Sequence, residues 1–350
     1  MQIPIILNEG NYEKSDVDRL RNENKIWNEP HLYEKQLEEL FDILNPQAKL
    51  SSNYIDQRSS FINQKKSDTK GNWIYFPWNG YLIHTLNEKD YFLLRTNRNQ
   101  LLITKEEQKK LQQAVVGFVG LSIGSHFAAA LAYSGIANTM KLAEFDNLET
   151  SNLNRVRAGI KDIGRPKIEI SAEEIYEINP YANLKLFEQG LNDENLENLL
   201  SDPLPLMVFE AIDDFQMKIK LRLEARKKKI AVIMLTNLGD SILIDIERFD
   251  QNPNLPLFNG LLGNTPEEIL SSSIGEKEKV DFALKIVGRE NVSERIMGTM
   301  KEINKTLVGR PQLYSTVSMA GGLASYLARK IILGENTFSN RAKINFDMLV

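Results

Sequence analysis

Apolar residues recur along this chain in two rhythms, and the rhythm changes near residue 90. Before that point, "EKSDVDRLRNEN" and "PHLYEKQLEELFDIL" predict two amphipathic helices within residues 13–44, with Leu37, Phe41 and Leu44 at helical spacing in the second. The polar, aperiodic "SSNYIDQRSSFINQKKSDTKG" that follows is expected to be a long loop. "NWIYFPWNGYLIHTL" then sets aromatic and β-branched residues on both sides of Asn79-Gly80, which predicts a β-hairpin.

From about residue 90, short apolar runs alternate with helical patterns. "QAVVGFVG", "NTMKLAEFD", "NLKLFEQ", "LPLMVFEAID" and "IAVIMLTNL" read as strands; "SHFAAALAYSG", "KIEISAEEIYEIN" and "DFQMKIKLRLEARKKK" read as helices. This β-α-β-α order predicts an α/β fold, a doubly wound and mostly parallel sheet whose ligand sits at the carboxyl ends of the strands. The expected organisation is a helical arm and hairpin over residues 1–90, for peptide recognition or dimerisation, and an α/β domain over 91–350.

Composition narrows the chemistry. A net charge of −4 gives no field that would gather nucleic acid or an anionic membrane, so neither partner is expected. The absence of cysteine excludes disulfides, cysteine-held zinc and any thioester on this chain. His31, His84 and His126 are too scattered for a metal cluster, so any metal would be held by oxygen ligands and phosphate, as magnesium usually is. "MQIPIILNEGNYEK" has no basic leader or cleavage site, and no run approaches about 20 apolar residues, so a cytoplasmic location is expected.

"VGFVGLSIGSHFAAALAYSGI", residues 116–136, has the strand, turn and helix of a nucleotide site, but its glycines are wrongly spaced for the dinucleotide fingerprint. The turn through Gly120 and Gly124 would aim backbone N–H groups and a helix N-terminus at a phosphate; close packing of strand on helix is the alternative. Asp146, ending the next strand, is placed to accept from a ribose, which an NAD enzyme would share. "FDNLETSNLNRVRAGIKDIGRPK" adds Asn152, Arg155 and Lys167. Two cations and an amide beside a nucleotide suit a triphosphate, whose charge grows as it is cleaved; a solvated charged loop is the alternative.

"FDNLETSNLNR" followed by "GRPK" resembles the signature of the ThiF/MoeB adenylyltransferases, bacterial relatives of ubiquitin-activating enzymes, over about residues 95–240. The resemblance implies a Rossmann-like fold and an ATP- and Mg2+-dependent adenylation of a carboxylate. It implies ribose binding by Asp146, phosphate contacts from Asn152, Arg155 and Lys167, and magnesium on Asp213 of "FEAIDDF". It also implies a homodimer in which Arg98 of "RTNRNQ" enters the partner's site. Ser122-Ile123 stands where the family usually has two glycines, though Gly120 and Gly124 remain, and Val156 replaces a frequent glutamine. No CxxC pairs exist for structural zinc. "VGLSIG", "ILIDIERFD", "LPLFNGLLG", "SMAGGLASYLARKIILGE" and "SNRAKINFDMLV" look like a branch sometimes fused to nitroreductase-like domains. A cysteine-free adenylating enzyme can pass an acyl-adenylate directly to a nucleophile, as members of microcin C and pantocin A maturation do on ribosomal peptides. A peptide or small carboxylate is therefore the expected substrate, in antibiotic biosynthesis. An NAD-dependent oxidoreductase and a non-catalytic scaffold are the alternatives.

Three further features read as structural. His126 opens a buried helix and is expected to pack there with a satisfied hydrogen bond, a base or phosphate contact being the alternative. Gly321-Gly322 suits close helix packing. The cations of "EARKKK" suit a solvated helix end.

Overall fold

The computed structural model describes residues 1–263, 269–270, 275–337 and 340–348; Ser339, Leu349 and Val350 of the quoted C-terminal stretch lie outside them. The chain divides into two compact units, Met1–Glu106 with Tyr176–Tyr181, and Glu107–Ile175 with Ala182–Val350.

In the first unit, strand β1 (Ile5–Leu7) precedes helices α1 (Lys14–Glu23), α2 (Tyr33–Leu44) and α3 (Tyr54–Asp68), the hairpin β2 (Asn72–Phe76) and β3 (Tyr81–Thr85), and α4 (Glu88–Thr96). The amphipathic patterns form α1 and α2 as expected. In α2 the buried face is Tyr33, Leu37, Leu40 and Phe41, while Leu44 at the helix end is exposed. The expected loop at 51–71 is instead largely α3. That helix buries only Ile62 among its own residues, so it shows almost no apolar period. Polar contacts bind it to α2: Tyr54 donates to Asp42 at 2.6 Å, and Arg58 and Lys66 pair with Glu38 and Glu34. Lys65 and Lys66 also suit its C-terminal dipole.

The hairpin forms with Phe76 opposite Tyr81, so its loop has four residues, and Gly80 adopts φ +72°. A Cβ there would come within 2.7 Å of Lys25 O, which makes glycine a steric requirement as well. β1 adds antiparallel to β2, completing the sheet β1-β2-β3. His84 stacks on Trp73 and its Nε2 donates to Lys70 O at 2.7 Å, which accounts for it as packing.

In the second unit, α5 (Lys105–Gln113) leads into β4 (Val115–Val119), α6 (Gly124–Tyr133), β5 (Thr139–Ala143), α7 (Lys167–Ile178), β6 (Asn183–Phe187), α8 (Leu196–Leu199), β7 (Met207–Glu210), α9 (Phe215–Lys227), β8 (Ala231–Asn237) and β9 (Ser241–Glu247). A long helix, Tyr314–Leu333, and β10 (Asn340–Asn345) follow further on. The sheet order is β10-β9-β8-β7-β4-β5-β6. Strands β6, β5, β4, β7 and β8 are parallel, and β9 and β10 extend them antiparallel. The central strands are continuous apolar runs because helices cover both faces of such a sheet.

From β4 the chain winds outward through β5 and β6, then returns to β7 on the other side. This reversal opens a crevice at the carboxyl ends of β4 and β7, where open α/β sheets bind ligands. Gly321 does serve close packing, since a Cβ there would lie 2.9 Å from His126 O, whereas Gly322 has open space. Lys227 and Lys228 pair with Glu224 and Glu197, and Lys227 and Lys229 are exposed, as a solvated helix end requires.

Candidate functional site

Val119 lies beside Ala143 on one flank and Glu210 on the other, so β4 delivers the chain between two strand ends. Gly120 then takes φ +87°, and a Cβ would meet Ala211 O at 2.5 Å. Only glycine fits both conditions. The next N–H, of Leu121, donates to Glu144 Oε2 at 2.7 Å. Glu144 Oε1 accepts from the N–H groups of Phe145 at 2.8 Å and Asp146 at 3.0 Å. This buried carboxylate, which the sequence reading passed over for Asp146, locks the turn to the following strand end. It also leaves the turn with one donor fewer for a pyrophosphate, and with an anion beside it. Ser122 Oγ is buried without a hydrogen-bond partner among the described residues. Gly124 has room for a side chain, its nearest neighbour being Leu121 Cδ2 at 3.8 Å, and simply begins α6.

The loop after β5 brings Asp146 and Lys167 together. Lys167 Nζ lies 2.9 Å from Asp146 Oδ2, and its backbone N–H donates to Asp146 O at 2.9 Å. The ammonium is buried while the carboxylate is half exposed, so Asp146 keeps a face open to a ligand. Asn152 is buried and its Oδ1 accepts the Glu149 N–H at 3.1 Å; its own carbonyl accepts the Arg155 N–H at 2.9 Å. Asn152 thus shapes the turn that presents Arg155.

Arg155 donates through Nη1 to Ser151 O and Asn154 Oδ1, while its Nε is buried without a hydrogen-bond partner among the described residues. Burial pulls its pKa below the ordinary guanidinium value, against the pull of Asp213 and Glu149. A desolvated cation with an open donor is a place for an anion. Beneath it, His126 Nε2 lies 2.8 Å from Arg155 O, and because a carbonyl only accepts, Nε2 carries the hydrogen. Burial holds this imidazole below its usual pKa, and the Tyr314 ring meets it edge-on. His126 therefore packs with a satisfied bond, as expected, and steadies the Arg155 backbone.

After β7, Asp213 is 91% exposed and pairs with Arg310 at 2.8 Å, while Asp214 caps α9 by accepting the Met217 N–H. Among the described residues no three His, Cys, Asp or Glu side chains cluster around a metal position. The exposed carboxylate of Asp213, paired through one oxygen with Arg310, would suit a magnesium ion arriving on a triphosphate, since magnesium keeps its waters and needs one or two carboxylates. Arg98 is exposed on the turn Asn97–Asn99 of the first unit.

A buried charge network carries the β7 end. Arg222, fully buried, donates to Glu247 at 2.6 Å and Glu210 at 2.9 Å, and lies 4.0 Å over the Phe258 ring. Lys218 donates to Glu210 at 2.6 Å, and that carboxylate also accepts the Ile212 N–H at 3.0 Å, next to Asp213. The sequence signal was there in "MKIKLRL", where Lys218 and Arg222 fall on the helix face of Phe215 and Ile219.

A doubly wound sheet with a cationic loop after β5, next to the strand at which the winding reverses, defines a nucleotide-binding α/β protein. The chain belongs to the ThiF family, whose pattern matches residues 96–348, well past the stretch that carried the resemblance. An uncharacterized protein of Mycobacterium tuberculosis is 37% identical over 273 residues, 78% of this chain and 38% of that protein. The tRNA threonylcarbamoyladenosine dehydratase of Bacillus subtilis is 30% identical over 155 residues, 44% of this chain and 59% of the enzyme. The chain thus spans less than two thirds of the length of these two relatives. The molybdopterin-synthase adenylyltransferase of Haemophilus influenzae is 27% identical over 232 residues, 65% of this chain and 91% of that enzyme. Among solved structures, the Escherichia coli tRNA N6-threonylcarbamoyladenosine dehydratase TcdA in complex with ATP has the same fold, with a TM-score of 0.51 at 19% identity over 71% of this chain and 98% of that one. Escherichia coli MccB with MccA-N7isoASN gives a TM-score of 0.50 at 20% identity over 75% and 69%.

Proposed function

We propose that this chain adenylates a substrate carboxylate with ATP. The observation that carries the reading is that two buried donors, Arg155 Nε and the turn's own Ser122 Oγ, lack a hydrogen-bond partner among the described residues, while the first N–H of the turn already serves Glu144. With Leu121 N–H committed to Glu144 and Arg155 Nε unpaired, an anion gains more from the Arg155 loop than from the backbone of the turn, which favours a triphosphate over a dinucleotide. Relatives and structural neighbours that carry out adenylation or bind ATP support the same reading.

In this mechanism a carboxylate oxygen attacks the α-phosphorus in line as the bond to the β-phosphate oxygen breaks, and pyrophosphate leaves. Arg155 and Lys167 offset the charge that grows on the phosphates, and Asp146 accepts from the ribose. Gly120, Ser122 and Gly124 line the nucleotide, with Asn152 holding the Arg155 turn. Magnesium, held by Asp213, would neutralise the departing pyrophosphate. With no cysteine, the acyl-adenylate passes to an incoming nucleophile without a thioester on this chain.

We infer that the carboxylate is that of a ribosomal peptide, the substrate class implied by the resemblance to family members of microcin C and pantocin A maturation. The working form is a cytoplasmic homodimer, with the partner's Arg98 completing each site. Leu101 and Leu102, 98% and 87% exposed beside Arg98, give a dimer an apolar surface to cover. No helix among the described residues is long and apolar enough to cross a membrane.

Exchange of labelled pyrophosphate into ATP tests the reaction: free-acid peptides should stimulate it and their C-terminal amides should not. Stimulation by tRNA alone would move the substrate toward that of the dehydratase relatives, and no exchange with any carboxylate would remove the reading. Mixing inactive Arg98→Ala and Asp213→Ala chains should restore roughly a quarter of the activity if the sites are shared and independent. Subunit exchange without recovery would remove Arg98 from the partner's site.

A further inference from the structure

Arg310 to Leu313 and the first turn of the helix Tyr314–Leu333 form a strap that touches several elements of the site. Gln312 O accepts from Asn154 of the Arg155 loop at 2.9 Å, and Tyr314 meets His126 of α6. Thr316, fully buried, donates to Gly239 O in the β8–β9 turn at 2.6 Å. At its leading end the strap sets Arg310 Nη2 on Asp213 Oδ1 at 2.8 Å, across 97 residues of sequence. The negative charge of Asp213 also favours the charged form of Arg155, against the effect of burial.

We propose that the Arg310–Asp213 ion pair is a latch on the metal-binding carboxylate, closed in the free protein and opened by metal-bound nucleotide. The latch rests on the adenylation reading. A divalent ion on Asp213 would bring two positive charges against the guanidinium that already holds Oδ1, so the two cations compete for this carboxylate. Both partners are largely exposed, 57% and 91%, so water screens their attraction and the pair yields to a stronger ligand. Nucleotide without metal has no claim on Asp213, whose negative charge repels the phosphates. The latch therefore answers to the metal and not to ATP alone.

Calorimetric titration of the full chain with ATP, with magnesium and then with a chelator, tests this in wild type, Arg310→Gln, Asp213→Asn and the double variant. Removing the competitor in Arg310→Gln should tighten ATP binding in magnesium by about two- to fivefold. The gain should vanish in the Asp213→Asn background and in chelator. Unchanged or weaker binding by Arg310→Gln in magnesium, or an equal gain in chelator, overturns the latch while leaving adenylation standing. A wild-type chain that binds no ATP overturns both.

Discussion

Arg155→Ala is expected to lower pyrophosphate exchange by about 10²- to 10³-fold, the cost of removing one donor from a preorganised anion site. The guanidinium contributes little to the fold by its own bonds, which go to Ser151 O and Asn154 Oδ1 at the surface. Its thermal transition should therefore stay near that of the wild type. Arg155→Lys should recover part of the rate, because the charge survives while the fixed fork of donors does not. Retention of full exchange by the alanine variant would remove Arg155 from the phosphate site and take away the main support for adenylation.

Arg222→Ala is expected to cost about 3–5 kcal/mol of stability in urea titration, since it strands buried carboxylates without their partner. The two do not suffer equally. Burial raises Glu210, but Lys218 and then Arg222 outweigh it and hold this carboxyl below its usual range. Burial also raises Glu247, and there it wins over Arg222 and the Phe258 N–H. Without Arg222, Glu210 keeps Lys218 while Glu247 takes up a proton. A native state that binds more protons than the unfolded chain gains stability as pH falls, so the deficit should shrink from pH 8 toward pH 5. A loss below about 1 kcal/mol, or a deficit that grows in acid, would contradict a buried network of this kind.

What could be read in the sequence follows from what carries each element. The strands from β4 to β8 are buried runs between helices, so their apolar pattern is enough to find them. Helix α3 was hidden because its partners are polar groups on α2, brought near only by folding. Asp146, Arg155 and Lys167 stood out as charges in a segment without apolar period. Glu144 did not, since two acids at a strand end look alike until one of them turns inward to three amides. Arg222 is a charge by residue type, and although its place on the apolar face of α9 hints at burial, its partners appear only when β7 and β9 supply the two carboxylates. Arg310 gave no signal, because its meaning lies in a carboxylate 97 residues away.

The central claim is that the crevice between β4 and β7 holds a triphosphate. Calorimetric titration of the full chain with ATP and magnesium, run beside NAD, tests it most directly. The account predicts saturable ATP binding that Arg155→Ala weakens, and no comparable binding of NAD. Tight NAD binding with none for ATP would contradict it.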